Sequence, residues 1–175
     1  MEVSLKYKDD EDKTYGVAGM AVGMVIFDGE DLLSQIAIDN EPHNVIEFTG
    51  EFYFSGNPHL SPKRAWNQIL QHYNLSMAML IANVMCRSIV MKNKSVTVDI
   101  KKAIHKIIEE EGRNSCSLEN DEIDNLFEKN YNYLYRIFSH HGVQSIISDF
   151  VDTLKSKRTL SRNEVLDELK SLSMI

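Results

Sequence analysis

The stretch from residue 61 to residue 91 constrains the fold more than any other part of the chain. It has no glycine, and no proline after Pro62. Ser61 suits an N-cap, and Pro62 suits the first helical position, where a missing N–H costs nothing. Trp66, Ile69, Leu70, Tyr73, Met77, Leu80, Ile81 and Val84 recur with the period of a helix. Beyond Leu75 the opposite side turns apolar as well, through Met79, Ala82, Met85 and Ile89. A helix that is apolar all round must be buried. This one is therefore expected at the centre of the fold.

Four further helical patterns surround it. Ile100, Ala103, Ile104, Ile107 and Ile108 mark a helix over 98–111, with Gly112 as its expected end. Ile123, Leu126, Phe127, Leu134, Ile137 and Phe138 mark a second, after Ser117, with Gly142 as a left-handed stop. Val143, Ile146, Ile147, Phe150, Val151 and Leu154 form a third stripe. The last helix opens on a capping box, Ser161 to Glu164, in which each residue satisfies an orphan amide of the other. Between residues 28 and 60 the pattern weakens. Residues 31–36 suit a short helix, and the alternation of Ile46, Phe48, Phe52 and Phe54 suits a small β element or an ordered extended loop near 45–54. The fold class expected is mainly α: a single-domain helical bundle, residues 15–175, around the 61–91 helix, preceded by a polar leader over 1–14.

A second apolar stretch, YGVAGMAVGMVIF at 15–27, has 13 residues, short of the roughly 20 that span a bilayer. The residues before it are net acidic, which argues against an export signal. Gly16, Gly19 and Gly23 are spaced by three and four, unlike any phosphate-binding loop. On a helix they form one small-residue stripe, suited to a close approach against Ala78 and Ala82 of the central helix. Three helical glycines cost about 1 kcal/mol each relative to alanine, so only tight packing justifies them. Two isolated cysteines, Cys86 and Cys116, suit reduced thiols. A cytoplasmic protein, not bound to membrane, is the expectation.

The net charge of −7 disfavours nucleic acid as a partner. The one basic cluster, Lys155, Lys157, Arg158 and Arg162, joins two helices and invites comparison with a helix-turn-helix, but Glu164, Asp167 and Glu168 follow where a recognition helix needs basic or polar residues. The connection 39–60 carries His43, Glu47, Glu51 and His59, a carboxylate and imidazole set suited to acid–base work or a metal, though in no known ligand spacing. The simpler reading is a loop pinned by its phenylalanines. His72, Ser76, Asn83 and Arg87 fall near one line on the central helix, so they suit an anion site around Arg87, with Glu47 and Glu51 as catalytic partners. The alternative there is a structural salt bridge. His140 and His141 point apart and suit capping. Tyr131, Tyr133 and Tyr135 spray to three sides, ringing a pocket or burying a ring with a wet hydroxyl. No catalytic signature appears, and the sequence leaves any cofactor unknown.

Three stretches, EFYFSGNPHLSPKRAWNQ (51–68), ANVMCR (82–87) and LFEKNYNYLYRIFSHHGVQ (126–144), together resemble an uncharacterised family of small hypothetical proteins from gut bacteria. The resemblance implies a bacterial cytoplasmic protein and assigns no activity, ligand or residue role. The function expected is a non-enzymatic interaction or regulatory module, binding a protein partner or a second copy of itself. The alternatives are an enzyme using the 43–59 loop with Arg87, and a nucleic-acid-binding regulator using the 155–162 cluster.

Overall fold

The computed structural model describes residues 4–50 and 62–175, with the side chains of 62–66 excepted. Ser61, Phe52 and Phe54, and the candidate site residues Glu51 and His59, lie outside the described residues.

Helix α1 (Asp10–Ile26) is opened by Asp9, whose Oδ1 accepts the Asp12 backbone N–H at 2.8 Å. Asp10, Glu11 and Asp12 fill its first turn, where the helix dipole favours negative charge. Residues 10–14, expected in the leader, are thus the start of a helix. α1 lies along α2 (Pro62–Met85), and its glycines bring the two backbones together. A Cβ at Gly19 would stand 2.4 Å from the Ala82 carbonyl oxygen and 2.6 Å from the Cys86 Cβ. One at Gly23 would stand 3.0 Å from the Ala82 Cβ and 3.3 Å from the Ala78 oxygen. The small-residue stripe meets the partners its spacing predicts.

α2 passes directly into a π-helical turn, Cys86–Met91. Met77, Ala78, Ile81, Ala82, Met85 and Cys86 are fully buried, as a central helix requires. The span Asn67–Met91 is long and apolar enough to cross a membrane, and 67% of its apolar window is buried inside the fold.

α3 (Val98–Cys116) runs past Gly112 to a left-handed Ser117 at φ 53°. Gly112 is no stop; it is buried within the helix and makes room for Tyr73. The Tyr73 hydroxyl donates to the Ile108 carbonyl at 2.8 Å, and a Cβ at Gly112 would lie 2.5 Å from that hydroxyl. α4 (Asn120–Ser139) also ends without a glycine. His140 is extended, and its Nδ1 accepts the Gly142 N–H at 3.1 Å, capping the start of α5 (His141–Lys157). A side-chain cap on the next helix replaces the left-handed stop. α6 (Arg162–Leu169) opens on the foreseen capping box, with the Ser161 N–H donating to Glu164 at 2.9 Å.

A small antiparallel sheet in the order β2-β1-β3 covers one end of the bundle: β1 (Leu33–Ala37), β2 (Ile46–Phe48) and β3 (Thr159–Ser161). Residues 31–36 are not a helix. A 3-10 turn, Glu30–Leu32, leads into β1, and Ile36 pairs with Ile46 on one side and Leu160 on the other. Two flanking strands that satisfy its backbone outweigh the local helical pattern.

Candidate functional site

Arg87 stands at the π-turn and is 7% exposed. Its Nε donates to Asp12 Oδ1 at 2.8 Å, and one terminal nitrogen to Asp12 Oδ2 at 2.6 Å and the Lys6 carbonyl at 3.1 Å. The other donates to the Leu5 carbonyl at 3.0 Å and to Asn83 Oδ1 at 3.4 Å. All five N–H donors of a guanidinium are therefore occupied. The Tyr7 ring lies over the cation at 5.0 Å, and the Asn83 amide donates to the Tyr7 hydroxyl at 2.8 Å. Burial pushes the Asp12 carboxyl up, but the Arg87 bonds, the Lys8 amide and neighbouring charges bring it below the usual carboxylate range. This constellation fastens residues 5–12 to the central helix and leaves Arg87 no donor for a ligand.

The other candidates separate. His72 does not join Asn83 and Arg87; it lines a hollow on another part of α2 with Gln68, Gln71 and Asn74. Ser76 is exposed. His43 is exposed in a 3-10 turn, and Glu47 on β2 accepts from the Asn40 amide at 3.3 Å. Among the described residues no three His, Cys, Asp or Glu side chains gather as a metal site. Each cation of the basic cluster holds a carboxylate: Lys155 with Glu11 at 2.9 Å, Lys157 with Glu164 at 2.9 Å, and Arg162 with Asp31. Arg158 bridges Asp10 at 2.8 Å and Asp39 at 2.5 Å. Cys86 and Cys116 are free and buried, and burial pushes both thiols up, away from reactivity.

One hollow of about 640 Å³ lies beside Tyr7 and Asn83, and smaller ones cluster at the C-terminal end of α1. Three hollows of about 480, 450 and 370 Å³ adjoin there: the first and second share Asp28, the second and third Phe27 and Asn74, and the first and third Tyr133 and Arg136. Asp28 is the left-handed residue, φ 55°, that turns the chain out of α1, and the Gly29 N–H returns to the Met24 carbonyl at 2.8 Å. Val25, Ile137, Val143 and Leu172 line the first hollow. Polar side chains, His72 among them, line the second. Leu126, Lys129 and Asn130 line the third. The Phe27 and Tyr133 rings meet edge to face, 6.0 Å between centroids and 74° between planes.

Three of the residues weighed from the sequence reach this belt: His72, His140 and Tyr133. Tyr133 does line two hollows, whereas Tyr131 is buried against Phe127. Arg136, Lys129 and Asn130 were missed, though with Leu126 and Tyr133 they recur at helical spacing on one face of α4. No known family, curated protein or solved structure matches the chain.

Proposed function

We propose that this chain is a non-enzymatic interaction or regulatory module of a bacterial cytoplasm, and that it binds across the belt around Phe27, Tyr133 and Arg136. The observation that carries this reading is Arg136. Among the described side chains it is the one arginine without a carboxylate partner, and it stands exposed where two hollows meet. Beside it Tyr133 is 42% exposed. Tyrosine and arginine supply much of the binding energy at protein interfaces. A protein partner or a second copy of the chain fits this surface. The enzymatic alternative has less support, because the donors of Arg87 are occupied. The nucleic-acid alternative meets a basic cluster already paired with acids.

A photo-crosslinking residue at position 133, in the native cell, tests the reading. The expected result is a discrete crosslinked product that Arg136→Glu abolishes; a product of twice the chain mass would identify self-association. No product, or one indifferent to Arg136→Glu, would contradict it.

A further inference from the structure

The geometry points to the 370 Å³ hollow between α4 and the end of α1 as a binding site for a small aromatic oxyanion, a flat ring bearing a carboxylate or a phosphate. This inference rests on the belt being the binding surface and names a small-molecule regulator for it.

The floor of the hollow is polar. Asn130 is 4% exposed, and its amide nitrogen donates to Asn74 Oδ1 at 2.7 Å and to the Met77 sulfur at 3.2 Å. Both its N–H bonds are thereby used. Its carbonyl has no donor among the described residues, and the Asn74 amide N–H has no acceptor among them. The Asn130 carbonyl oxygen is not a buried orphan; it reaches solvent and is open to a donor. Asn74 and Asn130 thus give the hollow a polar lining, suited to the polar edge of a ring.

The walls are Phe27, Leu126 and Tyr133. Their rings and methyl groups take a flat apolar body, and an inserted ring gains edge or stacking contacts beyond its area. The rim holds Lys129 and Arg136, both exposed and neither with a carboxylate partner among the described residues. No acid lines this hollow. In a chain of net charge −7, carboxylates to pair with are plentiful. Arg113, exposed at the surface, and Arg158 and Arg162, half-buried, all take one. Two cations left bare beside one hollow complement an anion from outside. The planar fork of an arginine suits the paired oxygens of carboxylate or phosphate, with lysine as a second point charge. The volume lies within the roughly 300–1,000 Å³ of small-molecule sites.

Protein-observed NMR titration of the full chain with benzoate, phenyl phosphate and inorganic phosphate tests the site. At least one aromatic probe is expected to bind and to shift the Asn130 side-chain amide. The stronger of the two decides between carboxylate and phosphate. Arg136→Gln should weaken it by about 10-fold or more and Lys129→Gln by about 3-fold, as befits charge-assisted contacts, while Arg113→Gln leaves it unchanged. Inorganic phosphate should bind at least about 10-fold more weakly than the better aromatic probe, lacking the ring contacts. The proposal is overturned by no binding of either aromatic probe at about 10 mM, by equal affinity in Arg136→Gln, or by inorganic phosphate matching phenyl phosphate. Failure of both aromatic probes beside an Arg136-dependent crosslink at position 133 would remove the small-molecule site and leave the protein-binding reading standing.

Discussion

Arg87 and Arg136 are the same side chain in opposite situations. Arg87 is buried, and each of its five donors has a partner, two of them on Asp12 and two on the carbonyls of Leu5 and Lys6. Arg136 is exposed and has no carboxylate partner among the described residues. The first holds the N-terminal segment to the core; the second is available to something else. An arginine on an apolar helix is thus not by itself a ligand site. Counting satisfied donors separates structure from function better than burial or neighbouring residue types do.

The largest effect should come from breaking the lock at its acid. Asp12→Ala leaves a buried guanidinium without its counter-ion, which typically costs about 3–5 kcal/mol. A urea unfolding curve reads this directly, and a loss below about 1 kcal/mol would mean that the pair is solvated. Next comes the glycine seam. Gly19→Ala gains helix propensity but drives a methyl into the Ala82 carbonyl and the Cys86 Cβ. The overpacking should prevail, with a net loss of about 1–3 kcal/mol by thermal or urea denaturation. A stabilised variant would show that the two helices part easily.

Acid should act on the same lock more gradually. The Asp12 carboxyl titrates lower in the folded protein than in the unfolded chain, despite its burial, because of Arg87 and the Lys8 amide. The unfolded state therefore binds the proton first. The contribution of Asp12 to stability is complete above the unfolded carboxylate pKa of about 3.9. It is lost as pH falls through the lower folded value. Urea midpoints should decline in that window for the native chain and decline less once Arg87 is Gln. Equal slopes would assign acid sensitivity to surface pairs such as Asp10 with Arg158. The smallest effect on stability is expected on the other side of the comparison. Substituting Lys129 or Tyr133 should move the unfolding free energy by no more than about 0.5 kcal/mol, as surface changes usually do.

The helices were legible because their apolar residues recur locally, and the capping box at Ser161 and Glu164 lies within one turn. The glycine stripe was legible for the same reason, and the small residues of the central helix, Ala78 and Ala82, were its natural neighbours. The strands were less so. β1 carries a helix-like run, and its partner β3 comes from the far end of the chain, so neither shows its pairing locally. Gly112 and Gly142 misled because a glycine near a helix end looks like a stop. One makes room for Tyr73, and the other follows a histidine that caps the next helix. The lock was half legible. A buried Arg87 required an acid, but nothing local selects Asp12 from a segment that resembles a loose leader. The belt was the least legible part, because its rim is defined by what Lys129 and Arg136 lack.

The most direct test is to unfold Arg87→Gln and Arg136→Gln side by side in urea at neutral pH. Arg87→Gln should lose about 3 kcal/mol or more, or fail to fold outright. Arg136→Gln should change by no more than about 0.5 kcal/mol. Near-equal losses, or a larger loss at Arg136, would contradict the assignment of one arginine to the fold and the other to binding.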